Sequence, residues 1–91
     1  MRVGINSVLG KNGRDLFMSI IRLREDYIMD TGKKPTVVEM SCATFSILNK
    51  FADDYGFLLC KWNEFTSGMD YRLIDMEVIL VDDMEGVEVY G

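Results

Sequence analysis

Apolar residues recur along this chain first at helical spacing and later in alternation. Leu16, Phe17, Ile20, Ile21, Leu23, Tyr27 and Ile28 fall on one side of a helical wheel, while Asp15, Ser19, Arg22, Asp26 and Asp30 fall on the other. Asn12 is a capping residue with Asp15 in the first turn, and Gly32 stops the periodic run before Lys33, Lys34 and Pro35, so a helix is predicted from about residue 13 to residue 31. Residues 36–40 are β-branched enough for a strand, and Ser41 caps a second helix over about 42–54. That helix gathers Phe45, Leu48, Phe51, Ala52 and Tyr55 on one face and ends at Gly56. Residues 57–62 read as a strand and 63–70 as a loop or irregular excursion.

From Tyr71 to Val81 the pattern alternates. Ile74, Met76, Val78 and Leu80 face one way, and Asp75 and Glu77 the other, until Ile79 and Val81 make both faces apolar. This predicts one long strand, half exposed at its start and central at its end, with Val78 and Leu80 buried. Residues 82–86 turn the chain into Val87, Glu88, Val89 and Tyr90, closing a terminal hairpin. The expected fold is α+β: two amphipathic helices on a small mixed or antiparallel sheet that ends in a C-terminal hairpin, all in one domain over residues 1–91.

Composition narrows the function classes. There is no histidine among the 91 residues, which removes the commonest general base and the commonest metal ligand. Cys42 and Cys60 lack metal-ligand spacing and read as buried free thiols. Gly10 and Gly13 precede a helix without the spacing of a phosphate loop, and read as a flexible entry to it. Asp75 with Glu77, or Asp82 with Asp83, could hold Mg²⁺ in a small carboxylate enzyme, although no calcium-loop pattern surrounds either pair. A non-enzymatic role with no cofactor, no catalytic residue and no metal ligand is the reading preferred over that alternative.

Charge is lopsided. Residues 1–34 hold seven Lys/Arg and four Asp/Glu, whereas residues 35–91 hold three and eleven; the net charge is −5. An acidic second half repels phosphate and steers a basic partner, so a protein partner is expected and direct nucleic-acid binding is not. The candidate partner-binding residues are Asp82, Asp83, Glu85 and Glu88 in the acidic end, Trp62 and Phe65 as exposed aromatics near the 63–70 loop, and Arg24. Phe57 and Tyr71 are further aromatic candidates around that loop, with Phe57 read as core. Arg24 falls in the middle of the apolar stripe of the first helix, where an arginine snorkels to the rim, pairs with a buried carboxylate or reaches a ligand. No apolar run is long enough to span a bilayer and no signal-peptide pattern opens the chain, so a cytoplasmic location without membrane contact is expected.

The stretch Lys34-Pro35-Thr36-Val37-Val38-Glu39-Met40-Ser41 together with Ile74-Asp75-Met76-Glu77-Val78-Ile79-Leu80-Val81-Asp82-Asp83 resembles the axial-domain segment of tailed-phage major capsid proteins. The resemblance spans roughly residues 16–90 at the level of pattern. Asp75 and Glu77 stand where that family has Gly and Pro, and 91 residues are too few for a capsid subunit. What it implies is a phage or mobile-element origin and a non-enzymatic role; with such an origin two binding classes compete, an acidic inhibitor of a host protein, cytoplasmic in the host cell, which the acidic second half favours, and a virion component that assembles with itself. It carries no functional residue across.

Overall fold

In the computed structural model, backbone is described for residues 1–55 and 58–91, and side chains for residues 1–51 and 62–91. The expected α+β architecture is present: two helices and a six-stranded mixed sheet. The chain runs β1 (Arg2–Ile5), α1 (Gly13–Thr31), β2 (Val37–Met40), α2 (Cys42–Tyr55), β3 (Leu58–Asn63), β4 (Gly68–Leu73), β5 (Met76–Leu80) and β6 (Val87–Tyr90).

Local chemistry sets the helix ends where the sequence places them. The Asn12 side chain accepts from the Asp15 amide at 2.8 Å, and Gly32 closes α1 in the left-handed region at φ 72°, its N–H donating to the Ile28 carbonyl at 2.8 Å. Ser41 Oγ accepts from the Thr44 amide at 3.1 Å and so starts α2.

The strand order is β1-β6-β2-β5-β4-β3, with β2 and β5 parallel and the remaining neighbours antiparallel. Strand β5 is therefore interior, as its apolar content predicts. The helices cover one face: Leu16, Phe17, Ile20, Leu23, Tyr27, Phe45 and Leu48 are buried with Val38 and Met40 of β2, Leu73 of β4, Met76 and Val78 of β5, and Val87 and Val89 of β6. Rings of Phe45 and Tyr71 lie 4.7 Å apart, so Tyr71 packs on the core rather than in an exposed aromatic patch.

Four expectations are corrected. Residues 71–81 form two strands, because the chain folds back through Ile74 and Asp75 with Leu73 paired to Met76. Val78 is buried at 8% exposure but Leu80 is 37% exposed, so the strand loses cover at its end and not at its start. Residues 64–67 are only the turn of a β3–β4 hairpin whose second strand begins at Gly68. Cys42 is exposed in the first turn of α2, where its position faces away from the core; Cys60 and Phe57 lie outside the described side chains.

The C-terminal ending is hairpin-like in direction, with a twist in its pairing. Strand β6 returns antiparallel to β5, yet it hydrogen-bonds β2 and β1, and β2 lies between β5 and β6. The short strand β1, which has no strong strand pattern of its own, supplies the sheet edge beyond β6. Close approach of β1 and β6 fixes the residue before β6: a Cβ on Gly86 would sit 1.8 Å from the Ile5 carbonyl oxygen.

Candidate functional site

Register decides what shares an edge of the sheet. Strands β2 and β5 end together, Met40 pairs with Val87 at the start of β6, and Val87 pairs with Ile5 at the end of β1. Strand β4 runs against β5, so the β3–β4 turn lies at the same edge. This one edge thus carries the β1–α1 connection, the start of α2, the β3–β4 turn and the β5–β6 loop.

Most of the residues singled out from sequence gather there. Asp82, Asp83 and Glu85 occupy the β5–β6 loop and are exposed; Asp83 bends it at φ 60°. Among the described residues, none of these three carboxylates is in an ion pair. Trp62 and Phe65 stand at the β3–β4 turn, 56% and 101% exposed. The turn itself is rigidly hydrogen-bonded: Asn63 Oδ1 accepts from the amides of Phe65 at 2.9 Å and Thr66 at 3.4 Å, and Asn63 Nδ2 donates to Asp70 at 3.0 Å.

Two candidates lie elsewhere. Glu88 projects from the sheet face that carries no helix, directly across from Glu39. Like charges in that position repel, and Arg2 relieves them by donating to Glu88 at 2.8 Å and reaching Glu39 at 3.5 Å. The Tyr90 hydroxyl donates to the same Glu39 oxygen at 2.6 Å, and the Arg2 guanidinium lies 4.0 Å over the Tyr90 ring. Donation to Glu39, with burial second, pushes the Tyr90 phenol above its usual range. Glu88 is therefore spent on the sheet and does not join the loop carboxylates.

Arg24 sits at the opposite edge. Its guanidinium forks onto Asp75, Nε to Oδ1 at 3.0 Å and Nη2 to Oδ2 at 2.6 Å, so that it reaches the rim and pairs there with a carboxylate that is partly exposed rather than buried. The same contact removes the Asp75–Glu77 pair as a cation site: Asp75 is in a turn, held by Arg24, while Glu77 points from β5 opposite Arg72. Among the described residues no group of three or more His, Cys, Asp or Glu side chains is placed to hold a metal ion, and no helix is long and apolar enough to cross a membrane.

The chain matches no known protein family, curated protein or solved structure.

That edge also contains a cleft of about 380 Å³, walled by Val8 and Leu9 from the β1–α1 connection, Ile47 from α2, and Met84 and Glu85 from the β5–β6 loop. Sequence patterning passes over these residues because Val8, Leu9 and Met84 lie outside any helical or strand period, and Ile47 sits off the apolar stripe of α2. The available signal is the pair Val8-Leu9 standing in a polar, glycine-rich connection: Val8 packs against the core, and Leu9 is left exposed.

Proposed function

We propose that this chain acts by binding another protein, a basic one, through the loop edge of its sheet, as an acidic inhibitor of the phage or mobile-element type. The observation that carries the reading is the concentration on one edge of exposed apolar groups, Leu9, Ile47, Trp62 and Phe65, with the carboxylates Asp82, Asp83 and Glu85 beside them. Protein interfaces combine aromatic anchors that lose water on contact with rim charges that steer the encounter. Both components are available here without unfolding any element, because these side chains are already exposed.

Capture from a host lysate at low and high ionic strength, with light scattering on the isolated chain, tests the reading. Reversal of Asp82, Asp83 and Glu85 to Lys is expected to abolish retention of the captured protein, and Phe65→Ser to weaken it. A salt-resistant homo-oligomer that captures nothing would favour the self-assembling virion role instead. Retention that survives the triple reversal would remove the acidic loop from the interface.

A further inference from the structure

We propose that the cleft between the β1–α1 connection and the β5–β6 loop receives an apolar anchor side chain from a basic peptide segment of the partner. The inference rests on the binding-module reading above and narrows it, naming the part of the edge that recognises and the chemistry that is recognised.

The cleft is built before anything enters it. The Val8 amide donates to the Glu85 carbonyl at 3.0 Å, tying its two loop walls together, and the Lys11 amide donates back to the Val8 carbonyl at 3.0 Å across a tight turn. Gly10, at φ 79°, takes the third position of that turn, where the backbone has to enter the left-handed region. The Ser7 hydroxyl accepts from the Leu9 amide at 3.1 Å. Binding to walls already fixed in this way costs little ordering entropy.

Its interior asks for an apolar group. The hydroxyls beneath it are satisfied by each other and by the helix, Ser41 Oγ donating to Thr44 Oγ1 at 3.0 Å while accepting the Thr44 amide. Among the described residues no buried side-chain nitrogen or oxygen lacks a partner. The floor of the cleft therefore offers a polar ligand no unmet hydrogen bond, and its charged groups, Lys11 and Glu85, stand at the walls. Leu9 is 94% exposed at the tip of the turn, where it adds nothing to the fold, and Ile47 is 41% exposed on the facing helix. Both surrender apolar surface only if something covers them.

Charge decides between a partner and a second copy. Lys11 and Glu85 line the cleft with opposite charges, and the exposed Asp82 and Asp83 precede its Met84–Glu85 wall in the same loop, so the excess charge beside the cleft is negative. Two copies joined through this cleft would bring both sets of carboxylates together and repel. A segment that carries Lys or Arg beside one large aliphatic or aromatic side chain satisfies both the walls and the loop.

A displayed library of random peptides, panned on the full chain, is the probe. Enriched sequences are expected to combine Lys or Arg with a single Leu, Ile, Met or Phe. A synthetic peptide made from them, followed by fluorescence anisotropy, is expected to bind at least about tenfold more weakly when its apolar residue is changed to Ala or when the chain carries Ile47→Asp. Leu9→Ser should weaken it in the same direction; because Leu9 and Ile47 are exposed, unchanged circular dichroism will show that both variants fold. Enrichment of acidic or uncharged sequences, or affinity indifferent to Leu9→Ser and Ile47→Asp, overturns the proposal. If Trp62→Ser or Phe65→Ser abolishes binding while those two do not, the binding-module reading survives and the cleft is not its site. If neither peptide nor protein is retained, both fail.

Discussion

Arg24 is tolerated in the apolar stripe of α1 because its guanidinium is met by Asp75 at the rim, the two side chains being 20% and 38% exposed. The hydrogen bond from Arg24, ahead of an opposing desolvation effect, holds the Asp75 carboxyl below its ordinary range. A carboxyl depressed in the folded state stabilises the fold above its unfolded pKa and loses that contribution as pH falls through the folded value. With Asp75 more than a third exposed, solvent screening limits the pair to about 1 kcal/mol or less. The difference in urea midpoint between the parent chain and Asp75→Asn is therefore expected near neutral pH, should begin to shrink on acidification below about pH 4, and should be lost as pH falls through the depressed folded value. A difference that persists unchanged at low pH would contradict the ion pair. The neighbouring residue shows the cost of this turn. Ile74 is β-branched and held at φ 61°, a region such residues avoid. Ile74→Gly relieves that strain and should raise stability by about 1 kcal/mol, the gain left after glycine's greater chain entropy. A lower melting temperature for this variant would show that the side chain contributes more than the strain costs.

At the scale of elements, β5 shows how one strand can change environment along five residues. Met76 is fully buried beneath the helices, Val78 nearly so, and Leu80 emerges at 37% exposure although all three share a face. Met76→Ala should cost about 2–5 kcal/mol, as a cavity in a closed core. Leu80→Ala should cost less than about 1 kcal/mol, since water already reaches it. Chemical denaturation of the two variants side by side checks the contrast, and equal losses would mean that Leu80 is covered in solution. The β3–β4 hairpin is a different kind of element: its turn is fixed by Asn63, while Trp62 stays more than half exposed opposite Met69 and Phe65 is fully exposed. An element stabilised by backbone pairing and polar turn bonds is free to present aromatics outward.

For the molecule as a whole, the −5 charge is not spread evenly over its surfaces. Arg2 bridges Glu39 and Glu88 on the helix-free face, whereas the β5–β6 loop keeps three carboxylates outside any ion pair among the described residues. Exposed charge of this sort acts mainly on encounter, over a range of roughly 8 Å at physiological ionic strength. Association with a basic partner is expected to slow as salt is raised, with the dissociation rate changing by less than about twofold. Stopped-flow mixing across a salt series separates the two rates. A salt effect confined to dissociation would place the loop carboxylates in a buried contact rather than at a steering rim.

The helices and their ends were legible in the sequence because their causes are local: Asn12, Gly32 and Ser41 act within one turn, and the apolar stripes of α1 and α2 need only a covering surface to be read. The interior place of β5 was legible for a similar reason, since few other stretches are apolar on both faces. Contacts distant along the chain decided the rest. Leu73-Ile74-Asp75-Met76 contains neither Gly nor Pro, and its one turn-favouring residue, Asp75, fits the alternation of a strand equally well; the reversal coincides with the grip of Arg24, fifty-one positions away, on Asp75. The insertion of β2 between β5 and β6, and the recruitment of β1 to the edge, follow from which strand each backbone pairs with, and alternation along one strand carries no information about its neighbours. That same pairing sorted the acidic residues, sending Glu88 to the sheet face where Arg2 meets it and leaving Asp82, Asp83 and Glu85 at the loop edge beside a cleft. Composition determined that this chain would be acidic; only the tertiary structure decided where that acidity meets exposed apolar surface, because side chains close in sequence diverge as soon as a strand alternates and a loop does not.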